Sequence, residues 1–292
     1  MSVLFERVAV IGLGLLGGSV ALAARQRGLA AKVVGATRSR DALAAALSLG
    51  MVDETAEPEA AVRGADLVIL ATPVFAMPET VRRIASALEP GALVTDVGSV
   101  KAPLAETLPG LLPRNVTYVG SHPMAGSHLR GLEAASADLF EGAPCVVMTD
   151  VAEAEHARIC AFWDALGARV FARDPAVHDV EVAWVSHLPH VLAFAFANAF
   201  EAAPEGAGDV VGSGFRDFTR IGRSEPELWS DILTANGKAL TAPLQAAERA
   251  LSELVRLIEA GDAEALGRRI AAARATLSAV SREGRGKPED SN

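Results

Sequence analysis

Four of the chain's six histidines fall in two short segments, Gly120-Ser121-His122-Pro123-Met124-Ala125-Gly126-Ser127-His128 and Ser186-His187-Leu188-Pro189-His190. An imidazole changes charge near neutral pH, so one placed beside a reacting hydroxyl can accept its proton without a large pKa shift. The first segment follows an expected strand, and loops at the carboxyl ends of strands line the ligand crevice of an open parallel sheet. In the second, His187 and His190 stand three apart and share a helix face. Pro189 inside that helix implies a constrained local geometry. Taken singly, each histidine also fits a core position satisfied by one hydrogen bond, and His156 and His178 are expected on solvated helix faces. No third and fourth ligand stands at metal spacing, so no metal site is expected.

A second kind of chemistry is written in glycine. Gly12-Leu13-Gly14-Leu15-Leu16-Gly17 follows a short β-branched strand and opens a helical pattern. The first glycine permits the tight turn, the second lets a pyrophosphate approach the backbone, and the third allows close helix–strand packing. The helix N-terminus then presents free N–H groups and a positive dipole end to phosphate. Past the second strand, where NAD-selective sites carry an acid for the ribose, the chain reads Thr37-Arg38-Ser39-Arg40, with no carboxylate before Asp41. Two arginines flanking a hydroxyl suit a 2′-phosphate, so NADP is the expected cofactor and NAD a possible one. Ala71-Thr72-Pro73, at the end of the following strand, completes the expected cofactor contacts.

These residues need elements to hold them. Short apolar runs at 8–11, 32–36, 67–70, 93–95, 117–119, 145–148 and 169–171 alternate with helical patterns, including 41–49, 78–88 and 153–166. Strands that are apolar throughout, with helices between them, mean βαβ units and a largely parallel sheet covered on both faces. After Asp174 the pattern is helical only, with a glycine-rich loop over 204–214 and long runs over 242–258 and 263–280. The expected plan is an α/β fold in which a dinucleotide-binding domain over 1–174, with a mostly parallel sheet of Rossmann type, precedes an all-helical domain over 175–284. A polar, disordered tail is expected over 285–292. At 292 residues, two domains are the natural count. The net charge of −9 opposes nucleic-acid binding, and 50 % hydrophobic residues exclude a disordered chain. The most apolar stretch, 183–200, carries Ser186, His187, Pro189, His190 and Asn198, too many polar groups for a membrane span. Two cysteines, Cys145 and Cys160, rule out a disulfide framework and point to a reducing cytoplasm.

Gly12–Gly17, Asp96-Val97-Gly98-Ser99-Val100-Lys101, His122-Pro123-Met124-Ala125-Gly126, Ser186–His190 and Gly214-Phe215-Arg216-Asp217-Phe218-Thr219-Arg220-Ile221 occur in this order. Together they resemble the prephenate/arogenate dehydrogenase family of tyrosine biosynthesis, over about 7–258. The resemblance implies oxidative decarboxylation of a cyclohexadienol with hydride transfer to a nicotinamide. It implies that His122 accepts the hydroxyl proton, that Ser99 orients it near the nicotinamide, and that Arg220, with Arg216 and Asp217 close by, binds a substrate carboxylate. Ser127, His128, Ser186, His187 and His190 are implied on the substrate side of the cleft, and the helical region is implied to form a homodimer.

One position departs from the family. Many relatives carry an acid two residues after the final glycine of the His-Pro-Met-Ala-Gly motif, where this chain has His128. An acid could pair with the ammonium of arogenate, so prephenate is the expected substrate, with arogenate or dual use as the alternative. No fused mutase and no regulatory domain are expected. A β-hydroxyacid dehydrogenase would place a lysine early in the helical domain, and none occurs between Asp174 and Phe200. A cofactor sensor without chemistry would not need His122, Ser99 and Arg220 together.

Overall fold

The computed structural model describes residues 3–126 and 131–283. Strands β1 (Phe5–Ile11), β2 (Ala30–Ala36), β3 (Glu54–Thr55), β4 (Leu67–Leu70), β5 (Leu93–Asp96) and β6 (Thr117–Val119) form one sheet. Its order is β3-β2-β1-β4-β5-β6, and every pairing is parallel. The crossovers carry α1 (Leu15–Gln26), α2 (Arg40–Ser48), α3 (Pro58–Ala61), α4 (Met77–Ile84) and α5 (Ala102–Thr107). Because successive strand side chains point to opposite faces, Val8, Val10, Leu67 and Ile69 enter one core, while Ala9, Ile11, Val68 and Leu70 enter the other. Burial on both faces is the reason these strands are apolar throughout rather than alternating.

The later strands depart from the single sheet expected. Beyond β6 the chain turns at Gly120, where an added Cβ would lie 2.9 Å from Met148 Cγ and 3.1 Å from the Tyr118 hydroxyl. This glycine lets the backbone leave the first sheet at once. Ser121–Pro123 becomes β7 of a second sheet, antiparallel to β8 (Pro144–Met148), which pairs in parallel with β9 (Arg169–Arg173). His122 therefore stands on a short strand and not in a loop. Two-residue β3 and three-residue β7 were not expected, being too short and too polar to show an apolar run. Helix α6 (Glu153–Ala165) packs Phe162 and Trp163 into the core beside Phe140.

Asp174 caps α7 (Pro175–Val182), accepting from the N–H groups of Ala176 and Val177. Residues 183–187 form one wide π turn in which Leu188 N–H bonds to Ala183 O. Helix α8 (Leu188–Ala199) continues the same helical run, so Pro189 lies within a helix as expected, directly after the wide turn that is its constrained geometry. Then come α9 (Ser213–Thr219), α10 (Pro226–Ala235), α11 (Gly237–Glu259) and α12 (Ala263–Glu283). The run from Pro175 to Ala202 is, among the described residues, long and apolar enough to cross a membrane by length and composition alone. That differs from the expectation that no stretch qualifies, because the apolar flanks outweigh its few polar groups when averaged.

The chain divides into two compact units, residues 1–240 and 241–292. The helices from Pro175 to Ala235 thus lie in the same unit as both sheets. The expected tail, 285–292, lies outside the described residues.

Candidate active site

The segment that carries Ser99 is anchored from below by a buried ion pair. Asp96 ends β5 and Lys101 closes the turn that follows; both are fully buried, and their side chains pair directly. Lys101 Nζ also donates to Ser121 O at 2.8 Å, while Asp96 accepts from Ser121 N at 3.1 Å, Gly98 N at 2.8 Å and the Tyr118 hydroxyl at 2.8 Å. Burial pulls the Lys101 ammonium below its ordinary range, and Asp96 opposes that pull. Burial and the Asp96 charge together push the Tyr118 phenol well up, so it stays protonated as the donor to Asp96. The turn 96–101 is thereby fixed to Ser121, the neighbour of His122.

His122 is 7 % exposed and does not stand alone. Its Nδ1 lies 2.8 Å from Nε2 of His178, whose Nδ1 lies 2.8 Å from Asp179 Oδ1. The Asp179 carboxylate also accepts from the backbone N–H of Lys101 at 2.8 Å and of Ala102 at 2.9 Å. An ionised carboxylate only accepts, so a neutral His178 carries its proton on Nδ1 and offers the Nε2 lone pair. His122 must then donate from Nδ1, which leaves its own Nε2 as a lone pair with no partner among the described residues. Burial, then the neighbouring His178, Lys101 and His187 charges, hold the His122 pKa well below the ordinary imidazole value. A neutral imidazole with a free Nε2 lone pair is a proton acceptor. The expectation that His178 is solvated is corrected: it is fully buried. Val177 and Val180, apolar residues of the same helix, are instead about half exposed.

Asn236 joins this chain to the second histidine segment. Its Nδ2 donates to Asp179 O at 2.8 Å and to His187 Nδ1 at 3.0 Å. Burial lowers the His187 pKa to about 4, against the opposing Asp179 charge. His190 donates from Nδ1 to Ser186 O at 2.8 Å and stacks on Trp229 with ring centroids 3.5 Å apart. Burial lowers its pKa also; Ser186 O opposes this and the Arg220 charge adds to it. Arg220 thus lies within electrostatic reach of His190. Arg216 and Asp217 are exposed on α9, and no side-chain hydrogen bond or ion pair of theirs occurs among the described residues. Ser127 and His128 lie outside the described residues. Trp229, Asn236, Asp179 and His178 are site residues that the sequence motifs did not pick out.

The glycine turn has the shape a dinucleotide requires. Gly12 has φ +104°, and an added Cβ would lie 2.5 Å from Ala71 O; one on Gly17 would lie 1.9 Å from Gly12 O. A Cβ on Gly14, just before α1, would meet nothing within 4 Å. Two glycines close the turn and the third leaves open space at a helix N-terminus, which fits a pyrophosphate. Thr72 Oγ1 is buried without a hydrogen-bond partner among the described residues, a polar atom left open at the same crevice. Arg38 and Arg40 are exposed and make no ion pair among the described residues, while Ser39 Oγ caps α2 by accepting from Ala42 N at 3.2 Å. No group of three or more potential metal ligands occurs among the described residues.

A parallel nucleotide-binding sheet joined to a cluster of neutral histidines defines an NAD(P)-dependent oxidoreductase. Family models match both parts: prephenate dehydrogenase, nucleotide-binding domain, over 20–172, and prephenate dehydrogenase, dimerization domain, over 174–272. The chain is 35 % identical over 243 residues to the cyclohexadienyl dehydrogenase of Zymomonas mobilis, covering 81 % of this chain and 83 % of that one. It is 33 % identical over 278 residues to the prephenate dehydrogenase of Bacillus subtilis, covering 92 % and 74 %. Prephenate dehydrogenase of Aquifex aeolicus in complex with hydroxyphenyl propionate and NAD+ superposes with a TM-score of 0.87 at 29 % identity, covering 96 % of this chain and 99 % of that one. This chain belongs to the prephenate dehydrogenase family.

Proposed function

We propose that the protein oxidises prephenate to 4-hydroxyphenylpyruvate and CO2, with NADP preferred over NAD. The observation that carries this reading is the chain of 2.8 Å contacts from Asp179 through His178 to His122, whose tautomer order leaves the His122 Nε2 lone pair as the proton acceptor. As the substrate hydroxyl becomes a carbonyl its proton needs an acceptor, and a neutral buried imidazole serves at physiological pH. Ser99, half-buried on the clamped turn, orients that hydroxyl. Arg220 pairs with a substrate carboxylate, for which a planar guanidinium is suited. Ser186, His187, His190, Arg216, Asp217, Ser127 and His128 complete the substrate side. Gly12, Leu13, Gly14, Leu15, Leu16, Gly17, Ala71, Thr72 and Pro73 hold the dinucleotide, with Thr37, Arg38, Ser39 and Arg40 at the 2′-phosphate. When bound, the nicotinamide supplies the acceptor for the hydride that leaves the carbinol carbon. Loss of CO2 then makes the ring aromatic.

The preference for prephenate rests on His128, which gives an ammonium no counter-charge. The alternative, arogenate or both substrates, is favoured by the similarity to a cyclohexadienyl dehydrogenase. The domains divide at 174, and two copies pair through the helical region. Leu251, Val255, Ile258, Ile270 and Val280 on α11 and α12 are all at least 45 % exposed, as the apolar face of a dimer would be in one copy. The exposed apolar face of 175–202 belongs to that pairing and not to a membrane. The net charge of −9 and the free cysteines fit a cytoplasmic enzyme with no nucleic-acid partner. A four-way steady-state assay of prephenate or arogenate with NADP or NAD tests the reading: prephenate with NADP should give the highest kcat/KM. A higher value with arogenate refutes the argument from position 128, and a higher one with NAD refutes that from Arg38 and Arg40.

A further inference from the structure

His122 is backed by a second buried imidazole and a carboxylate, more than is needed to hold one ring in place. We propose that Asp179, His178 and His122 form a two-imidazole relay, in which the proton taken from the substrate hydroxyl comes to rest on His178 beside Asp179. This rests on the dehydrogenase reading of His122.

The hydrogen-bond order makes the transfer possible. In the tautomer order assigned to the two 2.8 Å contacts, the resting protons stand on His178 Nδ1 and His122 Nδ1, and both Nε2 atoms are acceptors. As the substrate O–H bond breaks, a bond forms from that proton to His122 Nε2. The oxygen's electron pair becomes part of the new carbonyl while the hydride leaves the same carbon for the nicotinamide. The His122 Nδ1–H bond breaks as the proton moves 2.8 Å away to His178 Nε2. His122 ends neutral in its other tautomer, and His178 ends as an imidazolium.

The surroundings decide where the charge rests. The titratable and charged groups facing the pair are Asp179 on α7, Asp96 and Lys101 from β5 and its turn, His187 from the π turn, and Cys145 on β8. The Cys145 thiol is kept protonated by burial. Lys101 opposes a positive charge on His122, whereas His178 has a carboxylate 2.8 Å from Nδ1. That carboxylate is itself held by two backbone N–H groups on the turn that carries Ser99, so it cannot swing away. Delivering the charge to His178 removes it from beside the reacting ring and places it in an ion pair.

The test uses the full-length protein and His178→Gln, whose amide oxygen can still accept from His122 Nδ1 but cannot take up a proton. Nitrogen-15 NMR of the imidazoles, without substrate, should show His122 protonated at Nδ1 in both proteins at pH 7.5. In steady state His178→Gln should lose ten- to a hundred-fold in kcat with KM within threefold. The acid limb of its kcat/KM profile should move to lower pH, because the remaining base is the buried His122 alone. Asp179→Asn should shift the limb in the same direction. An unchanged kcat with an unmoved acid limb in His178→Gln overturns the relay and leaves His178 as packing. A resting His122 protonated at Nε2 overturns it whatever the substrate proves to be. If the wild-type protein turns over neither substrate while the Nδ1–H tautomer is intact, the dehydrogenase reading fails and takes the transfer step with it, and the ground-state hydrogen-bond order alone stands.

Discussion

Replacing Lys101 by Met keeps the side-chain length and removes only the charge and its donors. Lys101 and Asp96 are both fully buried, so the substitution strands a carboxylate away from water. Removing one partner of such a pair costs about 3–5 kcal/mol. Asp96 would keep the Tyr118 hydroxyl and the N–H groups of Gly98 and Ser121. Three remaining donors place the expected loss at the low end, about 3 kcal/mol. Ser121 O also loses its donor, so the turn carrying Ser99 loosens and kcat should fall with stability. Urea unfolding followed by the fluorescence of Trp163, Trp184 and Trp229 reads the loss as a lower midpoint at unchanged slope. Asp96→Asn combined with Lys101→Met removes the stranded charge and should cost less than the two single changes added together. A Lys101→Met protein within about 0.5 kcal/mol of wild type, or a double variant at or beyond the sum, would refute the account of a charge-compensated clamp.

Gly14→Ala should leave the unfolding midpoint within about 1 kcal/mol of wild type while weakening dinucleotide binding at least tenfold by calorimetry, because its Cβ enters open space. Gly17→Ala, whose Cβ would lie 1.9 Å from Gly12 O, should damage folding as well; equal behaviour of the two would contradict the division of roles. The fold keeps His187 neutral down to a pKa of about 4, whereas the unfolded chain binds that proton near 6.5, so stability must fall as pH drops through this window. The difference is about 2 kcal/mol at pH 5, and His187→Gln should show a visibly smaller drop in Tm between pH 7.5 and 5; parallel curves would sink the assignment. Trp229→Leu removes the ring stacked on His190 and should raise substrate KM about two- to tenfold, with kcat within twofold. An unchanged KM would place that stack outside the binding site.

Much of the nucleotide-binding half is legible in the sequence, because its signals are local. The strand before Gly12, the glycine spacing and the apolar runs at 67–70 and 93–95 each report on neighbours within a few residues. The family motifs likewise single out Ser99, His122 and Arg220 as candidates. Sequence spacing cannot reveal that His122 meets His178, 56 residues away, or that Asp179 caps the N–H groups of Lys101 and Ala102. One signal existed: Pro175, His178, Asp179 and Val182 recur at helical spacing and share the buried face of α7. That signal is weak, because Val177 and Val180 also place apolar residues on the opposite, exposed face. The break at Gly120, which makes His122 part of a second sheet, is equally invisible, since the Met148, Tyr118 and Lys101 side chains that crowd it come together only in the fold.

The most direct test of the central claim follows reduced cofactor and released CO2 together, from prephenate and NADP, for the wild-type protein and for His122→Asn. The account predicts one CO2 per cofactor reduced in the wild type, and a kcat lower by about 10²–10⁴ in the variant at similar KM. Comparable turnover by His122→Asn would contradict it, because the proton would then leave the substrate by a route that does not pass through His122.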